Sequence, residues 1–174
     1  DGGNFLAFCV DIEHYATQNK TVVLDDMANW QQPYGPNPNY PDYAGAGSYV
    51  AYMINYFGMP DTLMGQSAMQ LAVWEVLYED RDLRTFNVSN GQGQAYAYGV
   101  SNTVINQANS YLNLLNGLSL AQVSTAHAPW IKTVDSKCAG YQDFTTPAVP
   151  EPSTLLLLGT GLLAGAVVAR RKLR

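Results

Sequence analysis

The reactive side chains of this 174-residue chain are few, and its two cysteines come first among them. Cys9 lies near the beginning of the sequence and Cys138 near its end, while the two histidines are His14 and His127. The sequence contains no Cys-x-x-Cys, no His-Glu-x-x-His and no histidine pair at metal spacing, so it predicts neither a metal site nor a cofactor. A glycine-rich phosphate loop and a Gly-x-Ser-x-Gly turn are also absent. The chemistry to expect is therefore that of a thiol.

Several fates are open to the Cys9 thiol. A disulfide with Cys138 would be typical of an exported protein that has two cysteines. A cysteine hydrolase would use His14 or His127 as its base, but neither histidine has a nearby acid to orient it, which disfavours an enzyme. An acyl bond to a glutamine side chain is the third fate, because the sequence has an unusual set of glutamines.

Strands at both ends of the chain and helices between them would position these residues. Alternating and β-branched segments predict strands at 4–13, 21–25, 130–135 and 140–145, and helical spacing predicts helices at 46–57, 65–78 and 92–115. We expect the second strand to pair with the first, and the two end strands to pair with each other. The predicted fold class is α+β, with a β-barrel or sandwich-like sheet from the two chain ends. About three helices form an inserted subdomain, and a C-terminal transmembrane helix follows.

Three short stretches carry a resemblance to a known family. They are Phe8-Cys9-Val10, Met69-Gln70-Leu71-Ala72-Val73-Trp74 and Tyr141-Gln142-Asp143-Phe144. They resemble the signatures of bacterial surface thioester domains, which are an aromatic-Cys-hydrophobic motif, a Thr-Gln-x-Ala-hydrophobic-Trp helix and a late hydrophobic-Gln motif. The resemblance extends over about residues 4–146. Two departures are that Met69 stands where the family has Thr, and that Cys138 lies four residues before Gln142.

The resemblance implies an internal thioester between Cys9 and Gln142. Gln70 and Trp74 would support the bond from the helix, and Tyr141 and Asp143 flank the acyl donor. In this chemistry a thiolate attacks the glutamine carboxamide and ammonia leaves, which requires close contact, donors for the oxyanion and shielding from water. An amine then opens the thioester and the protein stays attached through its glutamine. One turnover is the whole reaction, so the protein would not be an enzyme.

The end of the sequence has three parts with different physical properties. Pro150 and Pro152 lack an amide donor and keep the segment 147–153 extended. The apolar run 154–169 contains no charge and would form a helix about 24 Å long, slightly short of the roughly 30 Å hydrocarbon core. The basic tail 170–174 can snorkel and is expected to stay cytoplasmic by the positive-inside rule. These features predict a transmembrane helix that places residues 1–150 on the other side of the membrane.

This end closely resembles the PEP-CTERM sorting signal of Gram-negative bacteria that make exopolysaccharide. The matching residues are Val149, Pro150, Glu151, Pro152 and Ser153, followed by the short span and the arginine-rich finish. The resemblance implies an exosortase as a partner, which cuts near the motif and releases the exported domain to the cell surface or the extracellular matrix. The resemblance implies a cellular destination for the protein and does not imply an activity.

The charge of residues 1–150 excludes one class of partner. Five basic residues stand against thirteen acidic ones, which gives a formal charge of −8. Nucleic acid is therefore not an expected partner. The stretch 1–146 is long enough for one domain with its own core. No signal peptide is visible at Asp1, so we expect this start to be a processed or truncated end.

Two classes of function remain open. The first is a covalent surface adhesin or matrix cross-linker, in which Cys9 and Gln142 react with an amine on a surface or matrix ligand of a biofilm. The second is a structural or carbohydrate-binding matrix protein without covalent attachment, stapled by the Cys9–Cys138 disulfide, with Tyr34, Tyr40 and Tyr43 exposed for binding.

Overall fold

The computed structural model describes residues 6–11, 21–30, 45–79, 85–89, 97–133 and 142–148. Its elements, in chain order, are β1 (Phe8–Cys9), β2 (Val22–Asp26), α1 (Ala46–Phe57), α2 (Leu63–Tyr78), α3 (Asn102–Leu112), α4 (Leu120–Val123), β3 (Pro129–Thr133) and β4 (Phe144–Thr145). A 3₁₀ turn, Met27–Asn29, follows β2. The architecture is a mixed one of helices and strands.

The four strands form an antiparallel sheet in the order β1-β4-β3-β2. Cys9 is opposite Phe144, so the two ends of the chain pair as predicted. Within the described residues the sheet is open, whereas a barrel or sandwich-like sheet was predicted. The expected pairing of the second strand with the first is also wrong. β2 pairs with β3 over five residues, while β1 has β4 on one edge and the side chain of Gln70 hydrogen-bonded to the Cys9 amide and carbonyl.

The helices α1 and α2 form most of the core. Gly58 ends α1 with φ at 68°, a left-handed value that favours glycine. Thr62 begins α2, since its hydroxyl accepts a hydrogen bond from the Gly65 amide at 3.1 Å. Gly47 of α1 has no room for a side chain, because a Cβ there would lie 1.7 Å from the Met27 carbonyl oxygen. The close packing of α1 on the 3₁₀ turn therefore depends on this glycine.

Two predicted helical boundaries differ from the structure. α3 begins only at Asn102, where the Ser101 hydroxyl accepts a hydrogen bond from the Val104 amide at 3.4 Å, and it ends at Leu112. The prediction had extended this helix over 92–115. The described residues contain four α-helices and not about three, since Leu120–Val123 forms a short additional one. Its capping box, Ser119 with Gln122, holds it in place.

The segments 147–153, 154–169 and 170–174 lie outside the described residues except for 147 and 148. The predicted transmembrane helix falls in this part of the chain. Among the helices that the structure describes, none has the length and apolar character needed to cross a membrane.

Candidate functional site

Cys9 lies on β1, beside the middle of α2, and carries a free thiol. Its side chain is buried, with 8% of the residue surface exposed. The sulfur donates a hydrogen bond to the main-chain carbonyl oxygen of Asp11 at 2.9 Å. Because successive strand residues alternate between faces, the side chains of positions 9 and 11 belong to the same side of the strand.

Gln142 reaches the same carbonyl oxygen from the neighbouring strand. Its Nε2 donates to the Asp11 oxygen at 2.9 Å, the same distance as the Cys9 sulfur. The two donors thus lie no more than twice 2.9 Å, or about 5.8 Å, apart. The register of β1 and β4 explains this meeting, because Cys9 faces Phe144 and Gln142 precedes Phe144 by two residues. The cysteine and the glutamine are therefore diagonal neighbours on one face of the sheet.

Gln70 of α2 fixes the backbone of Cys9 by a pair of hydrogen bonds. Its Oε1 accepts from the Cys9 amide at 2.8 Å, and its Nε2 donates to the Cys9 carbonyl oxygen at 2.7 Å. Two turns further along the helix, the Tyr78 hydroxyl donates to the Val10 carbonyl oxygen at 3.1 Å. α2 thus binds the short strand β1 through side chains, which compensates for a ladder of only two residues.

Trp74 lies one turn after Gln70 and supplies an unusual donor. Its indole Nε1 is buried and has no hydrogen-bond partner among the described residues. The indole is near enough to the Cys9 sulfur to lower the pKa of the thiol, although the geometry falls short of a hydrogen bond. A buried N–H without a partner costs free energy, and such donors are often used when charge develops nearby.

Burial raises the pKa of the Cys9 thiol from 9.0 to about 11. The negative charges of Asp11 and Asp143 raise it further, while hydrogen bonding by the Asp11 backbone and Trp74 lowers it only in part. At pH 7 about one molecule in ten thousand carries a thiolate. A thiol with so high a pKa is a slow nucleophile, and it is also a poor leaving group, so a bond formed at its sulfur is long-lived.

Asp143 fixes the position of β4 relative to β3 through its side chain. Its carboxylate accepts hydrogen bonds from the Thr133 amide at 2.8 Å, the Thr133 hydroxyl at 3.1 Å and the Trp130 indole at 3.2 Å. Its main-chain oxygen accepts from the Val10 amide at 2.9 Å. Burial raises the pKa of this carboxyl group. Asp143 therefore positions its neighbour Gln142 and does not face the thiol itself.

The remaining predicted residues fall into two groups. Tyr141, Cys138 and His14, like the tyrosines at 34, 40 and 43, lie outside the described residues. His127 is described, and the expectation that it has no nearby acid is wrong, since its Nδ1 is 2.5 Å from an Asp26 carboxylate oxygen. Its ring is two-thirds exposed and does not hydrogen-bond to Cys9. Within the described part of the chain, no group of three His, Cys, Asp or Glu residues could hold a metal ion.

Two features of the site are not indicated by any motif in the sequence. The carbonyl oxygen of Asp11 is a main-chain atom, and only its position two residues after Cys9 could have drawn attention to it. The second feature is a pocket of about 530 Å³ beside β1 and α2. Phe8, Gln70 and Trp74 line it, together with residues of α3 and the segment before it.

Comparison with known proteins places the end of the chain in a family of sorting signals. Residues 148–172 match the model of the PEP-CTERM protein-sorting motif, which confirms the predicted motif Val149–Ser153. The motif indicates an exported protein that is sorted by an exosortase. Neither the comparison with curated proteins nor the comparison with solved structures gives a match.

Proposed function

We propose that this exported protein forms an internal thioester between Cys9 and Gln142 and uses it for covalent attachment to an amine on a surface or matrix ligand. The observation that carries the proposal is the meeting of the Cys9 thiol and the Gln142 carboxamide on one carbonyl oxygen, each at 2.9 Å. Proximity of the two groups is the first requirement of the reaction.

Formation of the bond consumes the two groups that are present. The Cys9 sulfur, as thiolate, attacks Cδ of Gln142, the C–N bond breaks, and the amide nitrogen leaves as ammonia with the thiol proton. The tetrahedral intermediate carries a negative oxygen that needs a donor. The indole N–H of Trp74 is a buried donor near the sulfur with no partner among the described residues, and we assign it to this oxygen.

The surroundings of the thiol favour a thioester that persists until an amine reacts with it. Burial excludes water, and the high pKa of Cys9 makes its sulfur a poor leaving group toward weak nucleophiles. Gln70 keeps the Cys9 backbone in place by two hydrogen bonds while the sulfur changes partners. The sorting signal at 148–172 supports delivery of the domain to the cell surface or matrix. Attachment through Gln142 would then join that location to a second molecule.

Methylamine tests the proposal, because it is a small amine that opens thioesters. The full chain, treated with methylamine and then with a thiol-alkylating reagent, should carry the methylamide at Gln142 and the alkyl group at Cys9. Gln142→Ala should abolish the methylamide and leave Cys9 open to alkylation without methylamine. Gln107→Ala is the matched control, because Gln107 lies on α3 outside the pocket lining, and it should react like the parent. Peptide mapping that finds Gln142 unmodified in the parent would contradict the proposal.

A second candidate follows from the position of Cys138, four residues before Gln142 on a segment that leads into β4. In an exported protein a Cys9–Cys138 disulfide would staple the same two strands. The protein would then be a structural or carbohydrate-binding matrix component without a covalent ligand. Alkylation distinguishes the two, since a disulfide protects both cysteines until a reductant is added, whereas the thioester protects Cys9 alone.

A further inference from the structure

The pocket beside Cys9 has two walls in common with the proposed thioester site. Gln70 lines the pocket and also hydrogen-bonds to the Cys9 backbone, and Trp74 lines it and also lowers the pKa of the thiol. Phe8, the residue before Cys9, lines it as well. Cys9 and Gln142 do not themselves line the pocket, so a molecule in it would meet the proposed bond across Trp74, the side chain that both lines the pocket and lies near the sulfur.

The pocket is large and mostly apolar. Its volume of about 530 Å³ falls in the range of small-molecule sites. Met59, Leu71 and Val104 are among the apolar residues that line it, Gln66 and Ser67 are polar, and none of the described residues that line it carries a charge. The amide of Gln70 is already bound at both ends to Cys9, so it has little capacity to recognise a polar ligand.

An uncharged lining has a consequence for the protonation of an amine. Transfer of an ammonium group from water to an apolar site is costly unless a carboxylate is present, so the neutral amine is the form that enters. The neutral amine is also the nucleophile. A second ammonium on the same molecule would gain little in such a site, whereas methylene groups gain about 0.8 kcal/mol each when buried, or about fourfold in affinity.

We infer that this pocket receives the body of the attacking nucleophile, and that the nucleophile is a primary amine on an apolar chain or ring. The inference rests on the proposed thioester. In the step that it serves, the amine nitrogen forms a bond to Cδ of Gln142, the Cδ–S bond breaks, and a proton passes from the nitrogen to the Cys9 sulfur. Diamines are disfavoured as substrates, because no described residue of the lining could pair with the second ammonium.

The test compares amines at equal concentrations of their free base. n-Hexylamine should react with the full chain at least about tenfold faster than methylamine, and 1,4-diaminobutane should show no such gain. Ser67→Trp should remove the advantage of n-hexylamine, because Ser67 is an exposed residue of the pocket lining and can be enlarged without disturbing the core. Asn106→Trp, on an exposed part of α3 outside the lining, should keep it.

A second measurement does not need the thioester. In Cys9→Ala, n-hexanol should shift the indole N–H resonance of Trp74, and Ser67→Trp should prevent the shift. Equal rates for n-hexylamine and methylamine, with a thioester present, would overturn the pocket assignment alone, as would an unchanged Trp74 resonance. A protein without any thioester would overturn the proposed function, and the assignment of the nucleophile with it.

Discussion

Replacement of Gln70 by alanine tests whether the helix holds the strand that carries Cys9. The substitution removes the two hydrogen bonds of 2.8 and 2.7 Å to the Cys9 amide and carbonyl. Each backbone group left without a partner in a partly buried place costs about 1–3 kcal/mol, so for two groups we expect a loss of about 2–6 kcal/mol in the free energy of unfolding. Thioester formation should fall as well, because β1 is only two residues long.

The assay is urea denaturation followed by tryptophan fluorescence, with the Gln142 methylamide yield measured in parallel. Gln66→Ala is the matched control, one turn earlier on the same helix, where the amide makes one hydrogen bond to the Pro60 carbonyl oxygen at 2.9 Å. Its loss should cost no more than about 1 kcal/mol. If Gln70→Ala is no less stable than Gln66→Ala, the two bonds to Cys9 do not hold the strand and the reasoning is refuted.

Three further predictions concern charge and proton transfer. Because burial raises the pKa of Cys9 to about 11, the rate of thioester formation should rise about tenfold per pH unit between pH 7 and 9. Mass spectrometry measures this rate, and a rate that does not change with pH would contradict the prediction. Trp74→Phe should slow formation by about 100-fold yet leave stability nearly unchanged, since it keeps an aromatic ring and removes a donor that has no partner in the described part of the chain. Burial raises the pKa of Glu75 to about 8. The contribution of this group to stability should therefore be greatest below about pH 4.5, and it should fall by at most about 5 kcal/mol as the pH rises through 8. Glu75→Gln should remove that fall and keep the bond from the Asn87 amide, and chemical denaturation at pH 5 and 8.5 measures it.

The sequence predicted those parts of the fold that depend on local pattern. The apolar period of α1 and α2 and the stop at Gly58 place both helices within two residues of the observed bounds. The partner of β2 could not be predicted in this way, because alternation tells which residues lie inward and not which strand is the neighbour. α4 is four residues long, too short for a helical period to be visible.

In the candidate site, too, some features could be predicted from the sequence and others could not. Cys9, Gln70, Trp74 and Gln142 could be named from motifs, and the structure brings these four together. The acceptor that Cys9 and Gln142 share is a main-chain oxygen, so no residue type in the sequence indicates it. The pocket depends on the packing of α2 against α3 and the segment before it, which lies 30 residues away in sequence and has no motif of its own.

The mass of the intact, unreduced chain tests the central claim most directly. Loss of ammonia should lower the mass by about 17 Da from the value that the sequence encodes, and Cys9→Ala and Gln142→Ala should each restore the mass expected for the substituted chain. A decrease of only about 2 Da, abolished by reductant, would indicate the Cys9–Cys138 disulfide instead. A chain with its full encoded mass and both thiols free to alkylation would contradict the thioester and the disulfide together.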